Sequence, residues 1–150
     1  MKKGKGGDIL SFIDNIVHDK TQVEGDSIYL TIGKISRLIS RGDIDFGGSE
    51  YLESEKREMD SVKRKPEDKY GWWRLEMGEY LVEFNEKLQD VIPKDKVVIL
   101  QPSERLTKTG AFHPTKVLQK KGEISTILFV GRNGVNIKEN ARVSKIVVLD

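Results

Sequence analysis

The segment 124–130, ISTILFV, limits the fold more than any other part of this chain. Seven mostly apolar residues, several of them β-branched, are too few for a core helix and read as a buried strand. Its neighbours follow the same habit. Residues 79–84 (EYLVEF) alternate after a turn at Met77-Gly78, and 97–100 (VVIL) follow a turn at Pro93-Lys94-Asp95. A turn at 132–134 and a final run, 143–149 (VSKIVVL), close the series. Upstream, 26–32 (DSIYLTI) sets Ile28, Leu30 and Ile32 against Ser27, Tyr29 and Thr31, and 34–39 reads as its continuation or a further strand. Short strands about ten residues apart, divided by turn signals, predict a mainly β sandwich or barrel-like fold.

Two stretches depart from that rhythm. Residues 1–7 hold three glycines and three lysines and read as a mobile tail. Asp8 then offers a helix cap, and Ile9, Phe12, Ile13, Ile16 and Val17 follow at helical spacing, which predicts one amphipathic N-terminal helix over 8–18. After the turn-rich 40–48, residues 49–70 are so densely charged that they read as a solvated excursion, partly helical and the least ordered part of a single 150-residue domain. Arg41-Gly42-Asp43 within the turn-rich part spells an adhesion tripeptide but reads as a turn.

Twenty-six basic and 24 acidic residues leave a formal charge of +2, which gives no reason to expect a nucleic-acid partner. No apolar run approaches the ~18–20 residues that cross a membrane, and MKKGKGGD lacks the apolar region of a signal peptide. Without cysteine there is no disulfide or thiolate, and two histidines are too few to suggest zinc. A cytoplasmic protein is the expectation.

The decisive pattern lies in the order of weaker motifs. LEMGEYLVEFNEKLQDVIPKDKVVILQP is followed by PSERLTKTG (102–110), then KGEISTILF (121–129) and ENARVSKIVVL (139–149), with GDSIYLTIG (25–33) near the start. This succession resembles the dUTPase/dCTP deaminase superfamily over most of the chain outside 40–70. Pro102, Leu106, Lys108 and Gly110 fall at the spacing of the family's second motif. The resemblance implies a distorted β-barrel (β-clip), a homotrimer, a pyrimidine deoxynucleoside triphosphate ligand, and magnesium accompanying that triphosphate.

Set against the family's motifs, the reactive positions have changed. The first-motif aspartate falls on Tyr29, the phosphate-binding arginine on Ser103 and the following serine on Glu104. Val117 or Leu118 stands where a dUTPase places its water-activating aspartate, and Ile127 where a deaminase places its glutamate. An aliphatic side chain cannot move a proton, and hydrolysis of a triphosphate needs a placed carboxylate and positive charge on the phosphates. Two readings follow: a dUTP- or dCTP-directed hydrolase or deaminase, or a catalytically inactive trimeric nucleotide-binding or scaffold protein.

Candidate ligand contacts are Ser103, Arg105, Lys108 and Gly110, with Arg105 and Lys108 supplying charge; Lys108 could equally pair with Glu104 on the surface. Glu104 and Glu123 are the carboxylates nearest the motifs, although a charged residue opening a strand commonly just faces solvent. Trp72 and Trp73 either stack a base or divide between core and surface. His113-Pro114-Thr115 reads as a turn.

Overall fold

A computed structural model describes residues 11–25, 27–89 and 92–149. The chain is mainly β, as the strand rhythm predicts. One sheet dominates: the antiparallel order β8-β10-β6-β3-β12-β7-β9 curls into a half-barrel, with β1 on β6 and both β2 and β4 on β3. Its strands are β1 (Ile13–Asp14), β2 (Val23–Glu24), β3 (Ser27–Leu38), β4 (Lys56–Glu58) and β6 (Gly78–Leu88). The remainder are β7 (Val97–Pro102), β8 (Ala111–Phe112), β9 (Lys116–Leu118), β10 (Gly122–Val130) and β12 (Arg142–Leu149). A second, two-stranded sheet pairs β5 (Trp72–Leu75) with β11 (Val135–Lys138).

Alternation places the core. Ile28, Leu30 and Ile32 of β3 meet Tyr80, Val82 and Phe84 of β6, Leu100 of β7, Ile124 and Leu128 of β10, and Ile146 of β12. Each fully buried aliphatic chain contributes about 1.5–3 kcal/mol relative to exposure. Bulges interrupt β3–β6 at Ile32/Lys34, β10–β6 at Glu123/Ser125 and β12–β3 at Arg142/Ser144. Such kinks bend long strands into a curled sheet and re-aim the side chains beside them.

The N-terminal helix is corrected. Residues 8–10 of the predicted 8–18 helix lie outside the described residues, as does the 1–7 tail. From 11 to 18 the chain forms a turn and β1, which pairs Ile13 with Leu88 and buries Phe12 and Ile13. The helical turn comes later, at α1 (Asp19–Gln22), capped by His18, whose Nδ1 accepts from Thr21 N. A sheet edge offering a ladder and a core outweighed a weak helical period. No helix among the described residues is long and apolar enough to cross a membrane.

The charged excursion is also strand and turn rather than part helix. Ile39 N donates to Glu55 O, Asp43 bridges Leu52, and β4 runs along the outer part of β3. Asp45 accepts from Gly48 N and Glu50 N, which folds the tip back on itself. Ile44 and Phe46 nevertheless stand wholly in solvent.

Two glycines fix how the layers meet. A Cβ on Gly131 would lie 2.7 Å from Gly110 O, and one on Gly134, at φ +71°, would lie 2.7 Å from Leu75 O. The turn between β10 and β11 therefore presses its backbone onto two neighbouring backbones.

Candidate functional site

The second-motif segment forms α2 (Glu104–Lys108), a single helical turn leaving the end of β7. Ser103 N donates to Val143 O at 3.0 Å, and Ser103 Oγ accepts from Leu106 N at 3.2 Å. The buried Ser103 hydroxyl thus caps the helix, a role usually contributing about 1 kcal/mol. Gly110 closes the other end at φ +84°: its N–H donates to Thr107 O and its carbonyl accepts from Gly131 N, both at 3.0 Å. Both residues hold the backbone.

Arg105 points elsewhere. It lines a cavity of about 180 Å³ with Glu24, Tyr29, Ser103, Glu104 and Arg142. The guanidinium of Arg142 lies 5.6 Å from the Tyr29 ring centroid, and its Nη1 donates to Thr21 O at 3.0 Å. Tyr29 thereby stands beside the second-motif turn. Its phenol supplies an apolar wall under a cation where a carboxylate would draw in a metal. Lys108 is not part of this wall: it pairs with Glu104 at 3.3 Å on the exposed side of α2. The cavity therefore joins Ser103, Glu104 and Arg105 but leaves Lys108 and Gly110 outside its lining. Arg142 and Glu24 were missed as site residues because each sits on a strand where a charged side chain reads as solvent-facing.

Glu123 lies in another place. It pairs in register with Lys87 and lines a separate cavity with Lys116, Lys120 and Lys121. Ile127 is half-buried on β10 and Val117 is exposed on β9, so those replaced positions carry no proton-moving group.

A buried polar cluster adjoins the site through β3. Glu86 is wholly inaccessible and accepts from Thr31 N (2.8 Å), Thr31 Oγ1 (2.6 Å) and Gln22 Nε2 (2.9 Å). Burial pushes the Glu86 carboxyl above its ordinary range, against the opposing pull of these donors. Gln22 Nε2 also donates to Tyr29 O, and its Oε1 accepts from Val17 N and His18 N. Asn85 Nδ2 donates to Thr31 Oγ1 and to Asn140 Oδ1. Every polar group here has a partner within the chain.

His113 is likewise buried instead of merely opening a turn. Its Nδ1 lies 2.9 Å from Pro114 O and its Nε2 2.6 Å from Ser144 Oγ. Nδ1 must be the donor to a carbonyl, which leaves Nε2 to accept from the serine hydroxyl. Burial lowers the imidazole below its ordinary value.

Comparison with known proteins gives these positions a frame. The chain is 30% identical over 138 residues to a probable deoxyuridine 5'-triphosphate nucleotidohydrolase of Methanosarcina mazei, across 90% of this chain and 76% of that one. The chain belongs to the dUTPase/dCTP deaminase superfamily. Another superfamily relative, the probable deoxyuridine 5'-triphosphate nucleotidohydrolase of Methanococcoides burtonii, is 28% identical over the same shares of both chains. Among solved structures, the 2'-deoxycytidine 5'-triphosphate deaminase of Agrobacterium tumefaciens matches 96% of this chain with a TM-score of 0.63 at 18% identity. This chain spans less than half of that deaminase, 46% of its length, so the match bears on the superfamily fold alone. No family model matches the chain.

Proposed function

We propose that this superfamily member binds a pyrimidine deoxynucleoside triphosphate, with Arg105 and Arg142 facing its phosphates, and turns it over far more slowly than its relatives. The observation that carries the reading is the shared cavity of these two cations, one from each motif segment, with Tyr29 also on its wall. Guanidinium groups suit phosphate because their fork of donors matches two oxygens at once. What the cavity lacks is a carboxylate at the positions that the family uses for chemistry. Magnesium would be held mainly by phosphate oxygens, as this ion commonly is, with Glu24 and Glu104 as the carboxylates on the wall. When bound it would supply charge to the phosphates.

A second reading, active hydrolysis of dUTP, rests on the printed names of the relatives. It would require Glu24 or Glu104 to activate water, since Glu123 lines another cavity. The same family membership supports a single-domain homotrimer in the cytoplasm, and light scattering tests the assembly: a clean 17 kDa monomer would overturn it.

The experiment is incubation with dUTP, dCTP and dTTP plus magnesium, with products separated by chromatography and binding followed by calorimetry. Binding at submillimolar ligand with turnover far below the typical ~10 per second is expected. Ordinary turnover would overturn the slow reading, and no binding at millimolar ligand would overturn the nucleotide itself.

A further inference from the structure

Arg142 carries the phosphate reading together with Arg105, yet among the described residues no carboxylate forms an ion pair with it. Two other contacts place its half-buried side chain: Nη1 donates to Thr21 O at 3.0 Å, and the guanidinium lies over the Tyr29 ring. A long cation loses much rotamer freedom when it binds an anion, and one already held in place loses less. What fixes Thr21 and Tyr29 therefore bears on how well Arg142 meets phosphate.

Thr21 belongs to α1, a four-residue turn too short to stand alone. The ladder of β2 on β3 begins only at Val23. One residue before it, Gln22 ties the turn to the body of the molecule and is 1% exposed. Its Oε1 accepts from Val17 N at 2.9 Å and from His18 N at 2.7 Å. Its Nε2 donates to Tyr29 O and to Glu86 Oε2, both at 2.9 Å. An amide has two donor hydrogens and two acceptor lone pairs, and here all four are used. Glu86 is the fixed end: it lies on β6 and accepts also from Thr31 N and Thr31 Oγ1. One side chain thus joins the chain around α1, the main chain of Tyr29 and the sheet.

We infer that Gln22 is a positioning residue of the phosphate site: by fixing the Thr21 carbonyl and the Tyr29 backbone to Glu86, it aims the Arg142 guanidinium into the cavity. Buried behind the wall, its amide meets no ligand and works only through Arg142. The role stands on the phosphate reading above and adds to it the residue that holds the cation in place. The chemistry asks for glutamine in particular. A glutamate here would keep acceptors for Val17 N and His18 N but would set acceptor against acceptor at Glu86 and Tyr29 O. An aliphatic chain would fill the space and leave Val17 N, His18 N and one side of the Glu86 carboxylate without their partners.

Calorimetry with inorganic triphosphate on wild type, Gln22→Met, Arg142→Ala and the double variant reads the coupling. Methionine is unbranched and adaptable, so Gln22→Met keeps the packing while removing the four bonds. It should weaken binding about twofold to tenfold, the cost of ordering one long side chain on binding. Arg142→Ala should weaken it about tenfold or more. The double variant should bind no more weakly than Arg142→Ala alone, because no cation is left to aim, whereas two independent losses would multiply. A purely structural role lowers the melting temperature in either background but produces no such coupling. Gln22→Glu, read in the same cycle, completes the test if Gln22→Met does not fold. Wild-type affinity in the Gln22 variants, or losses that multiply in the double variant, would overturn the positioning role and leave the phosphate site standing. No binding of triphosphate by wild type, or full affinity in Arg142→Ala, would instead remove the phosphate reading itself, and the positioning role with it.

Discussion

Two polar clusters sit on either side of β3, and the contrast between them is instructive. Around Glu86, every donor and acceptor finds a partner inside the chain, and the group is sealed from water. Around Arg105 and Arg142, cations face open cavities, and the ion pair Glu104–Lys108 lies on the exposed side of α2. Tyr29 belongs to both, its carbonyl to the first and its ring to the second. Charged and polar groups complete one another in the first cluster; in the second, Arg142 Nη1 donates to Thr21 O and the cations line cavities open to solvent.

The largest expected effect tests whether the sealed cluster is structural. Glu86→Ala removes the acceptor of Thr31 N, Thr31 Oγ1 and Gln22 Nε2 and leaves a void, and should cost about 3 kcal/mol of unfolding free energy in urea titration. A loss below about 0.5 kcal/mol would show that the cluster contributes little to the fold. Next in size, Arg105→Ala should weaken triphosphate binding about tenfold to a hundredfold, with the ligand-free melting temperature unchanged. Were melting to fall as far as in the Glu86 variant, the two clusters would not differ in kind.

Acidity sharpens the contrast further, through groups that the fold itself has moved. Burial lowers His113, so the unfolded chain takes up a proton more readily than the folded one. The stability from neutral His113 is whole above about pH 6.5 and is lost as pH falls from there toward the lowered value. Glu86 has the opposite sign: its raised value means that stability is greatest below about pH 4.5 and declines as pH rises through the raised value. Thermal melts from pH 7 to pH 5 should therefore drop more steeply in Glu86→Gln than in wild type, and less steeply in His113→Gln. Parallel curves for all three proteins would contradict both assignments.

The smallest effect belongs to the exposed pair. Glu104→Ala should shift stability by less than about 0.5 kcal/mol while strengthening triphosphate binding slightly, because it removes a negative charge beside the phosphate path. A weaker affinity in that variant would point to Glu104 as a working carboxylate and revive the hydrolytic reading.

The frame of the fold was legible because strands write their faces in alternation. In β6 that alternation even marks Glu86: Tyr80, Val82, Phe84 and Leu88 point inward, and Glu86 falls on the same face between the last two. Read with more trust in the period, it would have announced a buried carboxylate. The first helix was misread because β1 forms only through a partner 75 residues away, Ile13 with Leu88, which no local period can encode. The division of the two tryptophans is written only in three dimensions: Trp73 is buried and donates Nε1–H to Met59 O, while Arg64 and Lys138 reach the half-buried Trp72 ring from separate segments.

The meeting of Gly131 with Gly110 bears on how a chain like this drifts. The contact joins the turn after β10 to the end of α2 through main-chain atoms, a 3.0 Å hydrogen bond with no room for a Cβ. Because the link involves no side chain beyond the bare glycines, lineages are free to exchange a cavity-lining residue such as Tyr29 for an aspartate without moving the scaffold that holds it. Chemistry can be lost, or regained, by single codons on an unmoved backbone. The constraint falls on the glycines: Gly131→Ala should be purged by selection far sooner than any change at the positions where catalysis was once expected.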